Sequence, residues 1–203
     1  MITHKLKKED IWSEAEKFRR NYVKPADTIP VLIDDIIELD LKIEIIPLKG
    51  LKERTSVEGF INHKLNEIII DNDLYFEDKN QNRLRFTLAH EIGHLILHQE
   101  EIKKMELNNL DKWMKFRQGL SENDNDWFEW QAREFAGRLL VPTNQLVKEI
   151  QSLQMGIDQY KEESRDSDLL IQGVSKTICN EFGVSGQVIA IRIQKEGLTE
   201  LFK

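Results

Sequence analysis

The segment RFTLAHEIGHLILHQ, from Arg85 to Gln99, constrains the fold and chemistry of this chain more than any other stretch. It carries three of the five histidines, His90, His94 and His98, and each follows the previous one by four residues. Residues four apart on an α-helix are offset by about 40° and lie about 6 Å apart along the axis. His90 and His94 can therefore turn two imidazoles toward one point, and this spacing predicts a metal-binding helix.

Glu91 directly follows the first histidine, so the segment satisfies the pattern H-E-x-x-H. A helix places Glu91 about 100° around from His90, beside a bound metal ion and not on it. From there a carboxylate can take a proton from the water that attacks a substrate. The pattern therefore predicts two metal ligands, His90 and His94, and one general base.

The alternative interpretation is a core helix whose polar residues are incidental. The flanking residues weaken it, because apolar side chains surround the histidines on nearly every side, and a helix that is apolar all round is buried. Buried imidazoles and carboxylates cost several kcal/mol without partners, and one metal ion satisfies them together. Gly93 lets a second backbone approach between the ligands. His98 fits a contact behind the ligands, or a helix end, better than a ligand position.

A catalytic zinc site takes three protein ligands and keeps one position for water. No histidine remains downstream, because His4 lies near the N-terminus and His63 falls in a predicted, solvent-exposed hairpin turn. A carboxylate is therefore expected. The segment WFEWQAREFAGRLLVP predicts a helix from about Asp126 to Leu140 and offers Glu129 and Glu134.

An apolar stripe on this predicted helix decides between the two glutamates. At 100° per residue, Glu129 falls within about 50° of the centre of the stripe, whereas Glu134 points almost the opposite way. Glu129 is thus the predicted third ligand, and Glu134 is predicted to be a surface charge. Trp127 and Trp130 fall on the outer side, which indicates either a docking surface or coverage by the C-terminal helices. The stripe consists of Phe128, Ala132, Phe135, Ala136, Leu139 and Leu140.

The remaining pattern predicts one α+β domain. Apolar residues at helical intervals predict helices over 10–22 and 31–40, and isoleucine-rich runs predict a strand over 42–47 and an antiparallel hairpin over 56–71. The histidine helix follows over about 82–98, and a polar stretch separates it from the helix that carries Glu129.

Composition and charge exclude several classes of protein. A net charge of −7 speaks against a broad basic face for nucleic acid, and the single cysteine excludes an internal disulfide and a cysteine-rich zinc cluster. No apolar run approaches the roughly 20 residues that span a bilayer, and the charged N-terminus lacks the apolar core of a signal peptide. We expect a cytoplasmic protein that does not bind membranes.

Two phrases of the sequence, RLRFTLAHEIGHLILH and EWQAREFAGRLLVP, resemble the hallmarks of the ImmA/IrrE-like metallopeptidases, which have a gluzincin-type zinc site. The upstream segment IPVLIDDIIELDLKIEIIP and the tail EFGVSGQVIAIRI are similar to further family motifs, in the same order along the chain. The resemblance implies a zincin-like fold in which helices surround a small, twisted, mainly antiparallel sheet. It implies a single domain over 1–203, with a catalytic core at about 28–142 and a helical tail at about 143–203.

The same resemblance implies one zinc ion per chain, bound by His90, His94 and Glu129 with Glu91 as the base; manganese suits these ligand types as well. It places the strand residues Gly59, Phe60 and Ile61 at the edge of the cleft, where they can pair with an extended substrate. The implied substrates are helix-turn-helix transcriptional repressors, whose cleavage induces genes of a mobile element or a stress response.

Two positions depart from the family pattern. Arg133 stands where the family has an asparagine, so the surroundings of the metal ligands differ from those of its relatives. Ile37 stands near the position of a small residue in the upstream motif, a change that we expect the fold to tolerate.

Two other functions compete with the peptidase. The first is a binding module on a peptidase fold that sequesters a repressor without cutting it. The second is a DNA-binding regulator, because the tail ICNEFGVSGQVIAIRI resembles a helix, a tight turn and a helix. The second of those helices reads VIAIRI, which lacks the polar side chains of a recognition helix and favours packing in the core. We therefore expect no direct binding of nucleic acid.

Overall fold

The computed structural model describes residues 5–104, 122–163 and 166–202. A three-stranded sheet lies in the first half of the chain, and helices form the rest of the described structure. Most of the predicted polar stretch, and His4, lie outside the described residues. The strands are β1 (Glu44–Leu48), β2 (Gly59–Ile61) and β3 (Glu67–Asp71).

The helices predicted from apolar periodicity are present, apart from a change of helix type near the start. The second predicted helix begins as one α-helical turn, Ile33–Asp35, and continues as a π-helical turn, Ile36–Asp40. Short 3₁₀ turns cover Asp78–Asn80 and Leu198–Phe202. The α-helices are α1 (Lys8–Tyr22), α2 (Ile33–Asp35), α3 (Leu51–Thr55), α4 (Asn72–Phe76), α5 (Gln81–Leu97), α6 (Gln99–Lys104), α7 (Glu122–Leu140), α8 (Thr143–Ser152), α9 (Gln154–Glu163), α10 (Ser167–Phe182) and α11 (Gly186–Lys195). The short helices α3, α4 and α6 were not predicted.

The sheet is mixed, so the prediction of a mainly antiparallel sheet is wrong. Its order is β1-β3-β2, with β2 antiparallel to β3, as the predicted hairpin requires, and β1 parallel to β3. Helix α3 lies between β1 and β2 in the chain and allows the direction to reverse before the hairpin begins. The last strand of the hairpin then inserts between the other two, and β2 is left at the edge of the sheet.

Helix α5 carries the histidine segment and crosses α7 at very short range. A methyl group built at Gly93 would lie 2.9 Å from the carbonyl oxygen and 3.0 Å from the Cα of Ala132, both of which are backbone atoms. The small residues at this crossing therefore bring the two helix backbones into direct contact, as the sequence indicated. Helix α5 is not buried on every side, however, because Ile96 is 36% exposed.

Glu134 is not a surface charge, and this prediction is wrong. Its side chain is 1% exposed, and its Oε1 lies 2.8 Å from Nη1 of the equally buried Arg192 of α11. Trp12 of α1 donates its indole N–H to the same oxygen at 2.7 Å, and Lys195 pairs with the other oxygen. The sequence pattern of α7 could not reveal these partners, because they lie far away in the chain and cover what periodicity marks as its outer face.

The same polar cluster extends to a second pair of buried charges. Arg138 of α7 binds Glu196 at 2.6 Å and also pairs with Glu16 of α1. Glu196 in turn pairs with Arg192 and accepts a hydrogen bond of 2.9 Å from the hydroxyl of Thr143. The cluster thus joins the first helix, the last α-helix and α7.

The turn between α10 and α11 packs against the beginning of α5. Gly183 has a left-handed φ of 60° and accepts a hydrogen bond of 2.7 Å from the Arg85 guanidinium. Asn82 donates to the carbonyl of Val184 at 3.1 Å. Ile189 and Ile193 of α11 are fully buried, so this helix packs in the core.

Trp127 and Trp130 are half-buried, and their rings meet edge to face at 5.0 Å. Trp130 packs against the hydrophobic core, and Lys195 of α11 lies 5.8 Å from its ring centroid. Lys5 lies 5.4 Å from the ring of Trp127. Of the two interpretations of this face, the structure favours coverage by a C-terminal helix for Trp130, whereas the neighbour of Trp127 comes from the N-terminal part of the chain.

We expect Gly93→Ala to destabilise the protein by about 1–3 kcal/mol, because the added methyl group forces the backbones of α5 and α7 apart. Gly173→Ala is the matched control, since Gly173 lies on the exposed side of α10 and a methyl group there meets nothing within 4 Å. That control gains helix propensity and is expected to stabilise by up to about 1 kcal/mol. Urea unfolding of both variants measures the two effects, and equal stabilisation by both would contradict the close crossing.

We expect Glu134→Gln to destabilise the protein by about 3 kcal/mol at neutral pH, because it removes one of the two carboxylates that pair with the buried Arg192, and the carboxylate that pairs with Lys195. Glu122→Gln, an exposed change on the same helix, is expected to have little effect.

The difference in the free energy of unfolding between Glu134→Gln and the wild type depends on pH in a defined direction. Burial alone raises the pKa of Glu134, but hydrogen bonds from Lys195 and Trp12 and the charges of Lys195 and Arg192 outweigh it, so its pKa falls below the ordinary 4.5. The stabilisation is therefore complete above about pH 4.5 and is lost as the pH falls through the lowered pKa. Urea unfolding across the acid range should show the two proteins converging, and a constant difference would contradict this account.

Candidate metal centre

Three side chains from two helices meet where α5 crosses α7. His90 and His94 of α5 bring their Nε2 atoms within 3.0 Å of each other. Glu129 of α7 places one carboxylate oxygen 3.3 Å from Nε2 of His90 and the other 3.8 Å from Nε2 of His94. The three side chains are 7–13% exposed. The close crossing at Gly93 explains why the carboxylate reaches the two imidazoles.

These donors fit a divalent metal ion. Two ligand atoms on a tetrahedral zinc ion, each about 2.0–2.1 Å from it, are about 3.3 Å apart, close to the separations seen here. One ligand atom from each of the three residues lies within 4.8 Å of the others. Two imidazole nitrogens and one carboxylate oxygen form the kind of set that catalytic zinc sites use. Within the three described ranges, no other group of histidine, cysteine, aspartate and glutamate meets this spacing.

Glu91, the predicted general base, is 4% exposed. Its Oε2 accepts a hydrogen bond of 3.0 Å from the backbone N–H of Ile61. This bond joins α5 to the edge strand β2 and limits the directions in which the carboxylate can point. It also brings the predicted substrate strand and the predicted base together.

The edge strand β2 has one hydrogen-bonding side directed away from the sheet. Asn62 donates its N–H to Glu67 at 3.0 Å, so by the alternation of an antiparallel ladder Gly59 and Ile61 turn their backbone groups to the opposite side. The contact between Ile61 and Glu91 confirms that direction. Of the predicted substrate residues, Phe60 instead directs its backbone groups toward Ile69 of β3, by the same alternation.

A model of the IrrE N-terminal-like domain, the M78 peptidase family, matches residues 39–194. The chain belongs to this family. The match confirms the resemblance to the ImmA/IrrE proteins and supports a metallopeptidase-type fold. Comparison with curated proteins and with solved structures gave no match. No helix in the described ranges is both long and apolar enough to cross a membrane.

In this M78-type chain, His98 lies directly behind the candidate ligands. Its Nδ1 is 3.0 Å from Nδ1 of His94, and the side chains are buried together. Burial is the main cause that lowers the pKa of His98 to about 3. The charge of His90 also lowers this pKa, whereas Glu129 raises it. The ring of His98 is therefore neutral at physiological pH. Its regular spacing from His94 was the sequence signal for this contact.

Arg133, at the position where the resemblance predicts an asparagine, lies beside the candidate centre. Its Nη2 is 3.6 Å from Oε2 of Glu129, one helical turn earlier. The Arg133 side chain is 63% exposed, so solvent screens most of its charge. Arg133 therefore adds an exposed cation beside the candidate centre, and His90, His94 and Glu129 still lie close together.

His63 is half-buried at the end of the hairpin and not fully solvent-exposed as predicted. Its Nδ1 is buried and has no hydrogen-bond partner in the part of the chain that the structure describes. It is absent from the group of residues that meet at the metal centre.

We expect purified wild-type protein to contain about one equivalent of metal and Glu129→Ala to lose most of it, because a three-ligand site then keeps only two imidazoles. Glu122→Ala, at the exposed start of the same helix, is the matched control and should retain the metal. Elemental mass spectrometry of the three proteins measures the content. A wild-type protein that neither contains zinc nor takes it up would contradict the site.

Proposed function

We propose that this chain is a zinc-dependent endopeptidase that hydrolyses a peptide bond in a protein substrate. The observation that carries the proposal is the meeting of His90, His94 and Glu129 at one point, with the buried carboxylate of Glu91 next in the chain to a ligand. Membership of the M78 peptidase family supports the same reaction class.

In the proposed mechanism, His90, His94 and Glu129 would hold one zinc ion per chain; manganese accepts the same ligand types. A bound zinc ion would polarise the scissile carbonyl and make a coordinated water more acidic. Glu91 would take a proton from the attacking water and pass it to the nitrogen of the leaving amine. The N–H of Ile61 would hold the Glu91 carboxylate in place for both transfers.

The edge strand supports a role in binding the substrate. The outward N–H and carbonyl of Gly59 and the outward carbonyl of Ile61 offer an extended peptide one hydrogen-bonding side, next to the proposed base, to which the N–H of Ile61 donates. A methyl group at Gly59 would lie 2.9 Å from a side-chain carbon of Ile70 and 3.3 Å from one of Thr87, so the strand packs tightly against its neighbours. We propose that residues 59–61 align the scissile bond with the metal centre.

The proposed substrate is a helix-turn-helix transcriptional repressor, cleaved to induce genes of a mobile element or a stress response. The family membership is what supports this class. The expected cytoplasmic location, and a division into a catalytic core at about 28–142 and a tail at about 143–203, stay predictions. The burial of Arg192 weighs against the DNA-binding alternative, because it removes the main charge of VIAIRI from the surface.

We expect Glu91→Gln to keep its metal and to lose peptide hydrolysis by about 100- to 10,000-fold, because the amide cannot accept the proton. The glutamine oxygen can still accept the bond from Ile61, so the fold should be preserved. Metal content and cleavage of the repressor, followed on a gel against the wild type, test both expectations.

The same variant separates cleavage from sequestration. If Glu91→Gln relieved repression in cells as well as the wild type does, the chain would act as a binding module and the hydrolytic mechanism would be wrong. Glu129→Ala, which we expect to lose its metal, gives the matching comparison: it shows whether a chain with an empty metal site still relieves repression.

A further inference from the structure

We propose that His98 is a positioning residue for the metal ligand His94. It accepts a hydrogen bond from Nδ1–H of His94 on its own Nδ1, and so holds His94 in the tautomer that directs a lone pair on Nε2 toward the metal. This inference rests on the metal site proposed above, and it adds a residue that the H-E-x-x-H pattern does not include.

The two nitrogens of His94 face different partners. Nε2 lies 3.0 Å from Nε2 of His90, on the side of the candidate centre, whereas Nδ1 lies 3.0 Å from Nδ1 of His98. A neutral imidazole carries one proton and one lone pair. When Nε2 is a ligand, the proton must reside on Nδ1, and that proton needs an acceptor. The Nδ1 of His98 is at the right distance to accept it.

The ring of His98 is held firmly in this orientation. It is 2% exposed and stacks on the ring of Phe128, with centroids 4.1 Å apart and planes 27° apart. The ring of His94 stacks on the same phenyl ring at 4.4 Å and 28°. Phe128 therefore supports both imidazoles and fixes their mutual geometry. It directly precedes Glu129, so the third ligand and this support come from one turn of α7.

The opposite nitrogen of His98 indicates why an imidazole is present at all. Once Nδ1 accepts from His94, the single proton of the neutral ring lies on Nε2. That atom is buried and has no hydrogen-bond partner among the residues that the structure describes. A buried polar atom without a partner is unfavourable. An apolar side chain would fill the same space without this free-energy cost. The hydrogen bond to His94 is the function that the polar ring can perform here.

Metal-ligating histidines usually donate their second ring nitrogen to a carboxylate, a carbonyl or water. A buried imidazole is a neutral acceptor, so it orients His94 without adding a negative charge behind the metal. Among the three candidate ligands, Glu129 is then the one that brings a negative charge. Loss of such a supporting partner typically lowers metal affinity by about 10- to 100-fold.

Two substitutions separate orientation from packing. His98→Leu retains an apolar side chain against Phe128 but removes the acceptor, and we expect it to bind zinc about 10- to 100-fold more weakly than the wild type. His98→Asn can place an amide oxygen near the position of Nδ1 and should stay within a few-fold of the wild type. Competition with a chromophoric zinc chelator measures the affinities. The visible spectrum of the cobalt-substituted proteins should change in His98→Leu and be largely retained in His98→Asn.

A measurement on the wild type alone guards against a variant that fails to fold. Two-bond ¹H–¹⁵N spectra of the zinc-loaded protein report which ring nitrogen carries a proton, and we expect the Nδ1–H form of His94. Metal on Nδ1 of His94 would overturn the proposal, as would wild-type zinc affinity and an unchanged cobalt spectrum in His98→Leu. Failure of the wild type to bind zinc would instead overturn the metal site itself.

Discussion

The backbone contact between α5 and α7 is the constraint on which the candidate metal centre depends. At Gly93 there is no room for a methyl group, so the helices lie as close as their main chains permit. His94 is the next residue on one helix, and Glu129 precedes the contact by three residues on the other. The separation of the ligands therefore follows from helix packing, which is a rigid feature of a protein core. The site is preorganised by two small residues that bind nothing themselves.

Helix α7 places two buried carboxylates on different faces, and each has its own polar partners. Glu129 faces the imidazoles of α5, whereas Glu134 faces Arg192 and Lys195 of α11. Burial of an uncompensated carboxylate would be very unfavourable on either face. The helix can therefore occupy its position only when α5 is on one side and α11 on the other. Function and architecture thus place the same requirement on α7.

The local periodicity of the sequence was enough to predict what lies within one helix. The four-residue spacing of His90 and His94 and the position of Glu129 on an apolar face led to the three residues that meet in the structure. The same arithmetic was wrong for Glu134, because helical periodicity cannot reveal partners from α1 and α11. The parallel pairing of β1 was missed for a related reason: the sequence shows where strands occur but not which strand inserts between which. The spacing of His98 predicts a contact behind the ligands or a helix end, but only the geometry shows which of its nitrogens faces His94.

The polar cluster around Glu134 joins α1 and α11 to the helix that carries the candidate ligand Glu129. Trp12 near the start and Arg192 near the end meet on one carboxylate, five residues along α7 from the candidate ligand Glu129. A chain trimmed before α11 would keep every residue of the metal centre and still lose the cations that neutralise Glu134. Limited proteolysis at the C-terminal end would thus remove support from the helix that supplies a ligand. Helices α1 and α11 hold α7 in place through this cluster, and the candidate metal centre depends on these contacts remaining intact.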